Sequence, residues 1–178
     1  QNQYPTIIKP FRNSVNMGII GNLQSTWSKP SGDLIAYLAG DDTICDGWFE
    51  EVNKFIVRKS LDFTKGAFAI YSDSKIVLPN GKEILRSNRM ISRGYDAKSL
   101  KLRGLVGSER GILFSRELFG LFKPVTKDIG IYTDGLYDIQ VQLYSDRNYY
   151  LDFIGGAYFS GIGVSSNTPF IDGIKSLL

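Results

Sequence analysis

Apolar residues recur from Val15 at Ile19, Leu23 and Trp27, four residues apart with Ile20 alongside, and Pro30 follows. That spacing predicts an amphipathic helix with a stop, one face of which packs on a sheet. The next run, Asp33-Leu34-Ile35-Ala36-Tyr37-Leu38-Ala39, is nearly continuous in apolar character, as a strand covered on both faces would be, and it breaks at Gly40-Asp41-Asp42. Asp46 is then placed to cap a helix whose first turn carries Glu50 and Glu51 and whose core face is Phe49, Val52 and Ile56. Helix, strand, acidic loop and helix together make an α/β unit.

Further on, Ala67 to Ser72 reads as a second buried strand. Lys75 to Leu78, then Pro79-Asn80-Gly81-Lys82, then Glu83 to Leu85 reads as a hairpin, so the sheet is mixed. Ser87 to Gly107 is polar and weakly periodic, with Arg86, Arg89, Arg93, Lys98, Lys101 and Arg103 in or beside it, and is assigned to loops and a short helix. Gly111 to Ser115 predicts a strand and Glu117 to Leu121 a short helix. Tyr132 to Tyr144 predicts a helix with Leu136, Ile139 and Leu143 on its core face, and Tyr149 to Phe159 a closing strand pair.

Composition narrows the chemistry. With 178 residues, 43% of them hydrophobic and 22% charged, residues 1–178 read as one globular, soluble domain. The net charge of +3 is small and its basic residues are scattered, which argues against nucleic acid as a partner. A single cysteine, Cys45, excludes an internal disulfide and a cysteine-ligated zinc cluster, and it fits a reducing compartment. The absence of histidine removes the usual base of serine and cysteine nucleophiles, so any catalysis falls to carboxylates. No apolar stretch reaches the roughly 20 residues needed to span a bilayer and no secretory signal is visible. A cytoplasmic location, including the inner face of a membrane, is expected.

In open α/β sheets, ligands collect at the carboxyl ends of strands, and Asp41 and Asp42 sit at such an end. Mg2+ or Mn2+ takes hard oxygen ligands and commonly needs only one or two carboxylates when substrate phosphates supply the rest. Taken alone, the tripeptide favours a plain turn after a strand, since short motifs match by chance.

The wider context carries a resemblance. Asn16-x-Gly18, Asn22 and the run from Gly32 to Asp42 resemble the family 2 glycosyltransferases, and the likeness continues through Gly47-Trp48-Phe49-Glu50-Glu51, Tyr71-Ser72-Asp73, the Pro79 to Lys82 turn and Leu113-Phe114-Ser115-Arg116. The resemblance implies a GT-A-like, Rossmann-like mixed sheet flanked by helices. It implies a nucleotide-sugar donor, UDP-linked by expectation, a carbohydrate acceptor, and a place in polysaccharide biosynthesis. It also implies Asp41 as the metal ligand and Asn16, Gly18 and Asp42 as donor-binding residues. Ala39 stands where the family usually has an acidic residue, and the histidine that many such enzymes add to the metal is missing.

Inverting members of that family place an acidic general base at the start of a helix near the acceptor. Thr133-Asp134-Gly135-Leu136-Tyr137-Asp138 is the matching segment, with Asp134 as the base and Asp138 behind it, both opposite the apolar stripe. An aspartate in a first helical turn also stabilises the helix dipole without doing chemistry. Asp73 reads as a structural or donor-lining residue, and Cys45 as inert packing. Because the chain opens at Gln1 and the family's nucleotide-binding strand and loop precede the matched region, an N-terminally incomplete domain is expected. Two other classes stay open: a non-catalytic relative acting as a binding module, and a nucleotidyltransferase on a related scaffold.

Overall fold

The computed structural model describes residues 7–62, 64–93, 110–124 and 133–162. Helix α1 spans Gly18–Trp27 and strand β1 Leu34–Ala36; β2 (Thr43–Ile44) and helix α2 (Trp48–Lys59) follow. Strand β3 (Phe68–Val77) turns back into β4 (Glu83–Arg86), and a 3-10 turn covers Arg89–Arg93. Then come β5 (Ile112–Ser115), α3 (Arg116–Gly120), α4 (Thr133–Tyr144) and β6 (Arg147–Phe159). One mixed sheet results, in the order β1-β5-β3-β6-β2, with β4 paired to the far half of β3. The β3 and β6 strands are parallel, and every other pairing is antiparallel. The expected α/β class and mixed sheet are both present.

Alternation along β3 sorts the core into two layers. Ala69 and Tyr71 face a cluster with Ile35, Ile112, Phe114, Leu118 and Val141, whereas Phe68 and Ile70 face Trp48, Val52, Phe55 and Ile56 of α2. The sheet is thus covered on both faces, which is why β3 reads as an apolar run. Ser115 caps α3 and ties it to the start of β3: its hydroxyl accepts from the N–H of Leu118 and of Phe68 and donates to the Gly66 carbonyl.

Several expectations are corrected. Asp46 does not cap α2; Gly47 does, at φ 77° and with no side-chain cap bond, a left-handed conformation that glycine adopts without penalty. Phe49 is 58% exposed, and Trp48 and Phe55 join Val52 and Ile56 in the core instead. On α4, Ile139 and Leu143 are 45% and 47% exposed, and the buried face is formed by Tyr137, Val141 and Gln142, whose amide donates to the Tyr71 hydroxyl. Residues 149–159 form no strand pair but the greater part of the single strand β6. The first strand is shorter than expected, with Leu38 exposed beyond its end. Tyr132, Lys98, Lys101 and Arg103 lie outside the described residues, as does the Leu136 side chain. No helix among the described residues is long and apolar enough to cross a membrane.

Candidate functional site

Helices α1 and α4 and the chain that leaves β1 pack together. Helix α4 passes through Ser145 and Asp146 into β6, where the Asp146 N–H bonds the Ala67 carbonyl and Arg147 pairs with Phe68. The helix therefore runs back antiparallel to β3. Its 12 residues cover about 18 Å, which carries its first turn about as far as the middle of β3. Tyr137, on its second turn, packs with Leu23, and Ile20, Trp27 and Tyr37 pack against that pair. Tyr37 directly follows β1 and lies four residues before Asp41, and Ile20 sits at the start of α1. Tyr137 of α4, Leu23 of α1 and Tyr37 thus share one cluster, and from Tyr37 the chain runs through Gly40-Asp41-Asp42 to Thr43, which pairs with Ala157 at the other edge of the sheet.

Within the turn the two aspartates have different surroundings. Asp41 is exposed. Asp42 is buried, with its N–H bonded to the Ala39 carbonyl, and its carboxylate meets Arg110 at 2.5 Å. The Asp42 side chain is 1% exposed and that of Arg110 21%. The Arg110 guanidinium also lies over the Tyr158 ring, 4.6 Å from its centroid. Arg110 reaches this position because β5 is antiparallel to β1, so that its entry lies beside the exit of β1 (Ala36 opposite Leu113). A Cβ on Gly156 would sit 3.1 Å from both the Arg110 Cβ and the Thr43 carbonyl oxygen, so glycine lets these chains cross closely. Arg110 is the functional candidate that sequence reasoning missed, since only the fold joins it to a residue 68 positions away.

Asn16 accepts a bond from the Gly18 N–H at 3.0 Å, with Gly18 at φ 66°, and so shapes the entry of α1. Asn16, Met17 and Asn22 line a cavity of about 400 Å³ there, together with Phe11 to Val15. Asp134 and Asp138 lie on α4, and their side chains fall outside the described residues. Ile139 and Leu143 of the stripe they were set opposite are exposed, so the reason for that orientation is gone. Cys45 is half-buried and its thiol is pushed up, chiefly by burial. Among the described residues, no three His, Cys, Asp or Glu side chains converge to hold a metal ion.

A second polar constellation lies at a bulge between β3 and β6. Leu151 is opposite Ser72 but Ile154 is opposite Asp73 and Gly156 opposite Ser74, which leaves Asp152, Phe153 and Gly155 without partners in the β3 register. Asp73, buried, accepts from the Asn88 N–H at 2.7 Å and from the Tyr150 hydroxyl at 3.0 Å. Its expected structural role is therefore visible. Burial and the Asp73 carboxylate raise the Tyr150 phenol to about 12. On the opposite face of the sheet, the indole N–H of Trp48 donates to Ser72 Oγ at 2.8 Å. Compared with models of known protein families the chain matches none, and no curated protein matches it either.

Proposed function

We propose that the chain belongs to a nucleotide-sugar-dependent glycosyltransferase of the GT-A type, transferring sugar with inversion to a carbohydrate acceptor with the help of Mg2+ or Mn2+. The observation that carries this reading is the division of labour in the acidic turn. Arg110 anchors Asp42 in the protein, and the anchored turn leaves Asp41 exposed between β1 and β2. A divalent ion can take one carboxylate there and its remaining ligands from a diphosphate and water. Its charge would then offset the negative charge developing on the departing nucleotide. Tyr137, on the next turn of α4, packs in the cluster that Tyr37 joins four residues before Asp41, which supports Asp134 as the base that removes the acceptor proton, with Asp138 one turn behind. Asn16 and Gly18, at the start of α1, would contact the donor. Asp42 becomes a positioning residue under this reading.

Mn2+-dependent binding of UDP and consumption of UDP-sugars, measured on the intact natural polypeptide, test it. Asp41→Asn is expected to weaken Mn2+-dependent UDP binding about tenfold or more, equivalent to about 1.4 kcal/mol. Asp134→Asn is expected to spare UDP binding and lower turnover by about 10²-fold or more. Metal-dependent transfer that survives both changes sinks the reading. A non-catalytic carbohydrate-binding relative is the second reading, favoured by the commitment of Asp42 to Arg110, which leaves Asp41 as the exposed acid of the two. It would show saccharide binding with no consumption of any nucleotide sugar.

A further inference from the structure

We propose that the pocket at the β3–β6 bulge binds the hydroxyl-bearing edge of an uncharged or amine-bearing sugar, and that it forms the acceptor side of the cleft whose donor side is the Gly40-Asp42 turn. The second half of this statement rests on the glycosyltransferase reading; the pocket's own chemistry does not. The cavity is about 390 Å³, within the range of small-molecule sites. Its position follows from the register. Thr43, which follows the Gly40-Asp42 turn, and Lys75 both pair with Ala157, so Lys75, two residues past Asp73, lies level with the end of that turn and two strand spacings, roughly 10 Å, across the sheet.

The polar wall is Asp73, Ser87, Arg89 and Asp152. Both Asp73 oxygens are held in place, and the Tyr150 hydroxyl that bonds one of them also lies 3.3 Å from Asp152 Oδ1. One phenol proton therefore serves two carboxylates, and the lone pairs it does not satisfy remain as acceptors for ligand hydroxyls. Arg89 meets Asp152 at 2.9 Å, but both side chains are more than half exposed, so this pair can open to a ligand at little cost. The opposite wall is Leu85, Phe153 and Ile154, and Leu85 and Ile154 are exposed apolar residues. A sugar ring has the matching pair of surfaces, an apolar face of C–H groups and an edge of hydroxyls. Two carboxylates against one guanidinium leave the pocket net negative, which favours neutral and amino sugars over uronates and sugar phosphates. A regular ladder would have paired Asp152 with Asp73; the bulge takes Asp152 out of the ladder, and the Tyr150 hydroxyl joins the two carboxylates instead.

The test uses amide-detected NMR titration of the protein with glucose, glucosamine and glucuronate, without nucleotide or metal. Glucose and glucosamine are expected to shift the amides of Ser87 and of Asp152 to Ile154, with glucuronate about tenfold weaker or more. Asp152→Asn, at an exposed position, is expected to keep the spectrum of the folded protein and to narrow the preference against glucuronate. Arg89→Gln is expected to weaken glucose binding about threefold or more. The proposal is overturned if no sugar shifts these amides, if glucuronate binds as well as glucose, or if both variants bind as the parent does. A donor site that fails its Mn2+ and UDP test leaves this result standing, and the converse also holds.

Discussion

Replacing Arg110 by methionine is the sharpest test of the acidic turn. Methionine keeps an unbranched apolar stem over Tyr158 and removes only the guanidinium, so Asp42 stays in place without its cation. The carboxylate cannot recover solvation, because its side chain is 1% exposed. A pair of unit charges about 4 Å apart at an effective dielectric near 20 is worth about 4 kcal/mol, and removing one partner of a buried pair typically costs about 3–5 kcal/mol. Arg110 is 21% exposed, which admits water and moves the expectation to the lower end, about 3 kcal/mol. Loss of the contact to the Tyr158 ring adds about 0.5 kcal/mol. For a chain of this size that lowers Tm by roughly 6–12 °C. Urea denaturation of wild type, R110M, D42N and the double variant then closes a cycle. The double variant is expected to recover about 2 kcal/mol relative to the sum of the single changes, with unchanged m-values. R110M within about 0.5 kcal/mol of wild type, or strict additivity, refutes the anchoring role.

Three further outcomes are expected. In Gly155→Ala the added Cβ would lie 2.7 Å from the Gly111 Cα and 2.8 Å from the Trp48 indole nitrogen, so a loss of about 2–3 kcal/mol or more in urea titration should follow. Ser72→Ala strips the acceptor from the buried Trp48 N–H and should cost about 1–3 kcal/mol, with altered Trp48 emission. Tyr150→Phe should remove a phenol that titrates at about 12 in difference absorbance at alkaline pH. Because folding raises that pKa above the ordinary value of 10, the stability it contributes is full below pH 10 and is lost as pH rises towards 12. The stability gap between wild type and Tyr150→Phe should therefore shrink across that window, and a gap independent of pH would remove the proposed link to Asp73.

Local pattern carried the element order well, because each element's periodicity and its bounding turn residues agreed. The hairpin through Pro79 to Lys82 and the helix stop before Pro30 are examples. Faces were less legible. On α4 the residues Leu136, Ile139 and Leu143 and the residues Tyr137, Val141 and Tyr144 both satisfy helical spacing, and which set is buried depends on α1, whose Trp27 ring lies 4.4 Å from that of Tyr137. Tyr149 to Phe159 is expected as a strand pair, yet β6 continues through Gly155-Gly156 as one strand. The glycines mark a bulge crossed closely by Arg110 and Gly111, and no local rule distinguishes a bulge from a turn at a glycine pair. Asp46 lost the cap position because the Cys45 N–H bonds the Gly155 carbonyl, tying the loop to that same bulge and leaving Gly47 to turn the chain.

The bulge therefore links the features that sequence reasoning treated as separate. It holds Cys45 and hence the start of α2, it makes room for the Arg110 that fixes Asp42, and it frees Asp152 from the β3 ladder. Asp41 needs no such support, since an exposed carboxylate at a turn is positioned by its neighbour's anchorage. Ala39 in place of an acid is compatible with that arrangement. Its residue is half-buried, and its carbonyl already accepts the Asp42 N–H, so the turn is closed by the backbone and by Arg110 with no help from a side chain at position 39. A charge introduced there would sit close to Asp42 and compete for the same guanidinium. Ala39→Asp should thus weaken the anchored turn, whatever it adds in metal affinity.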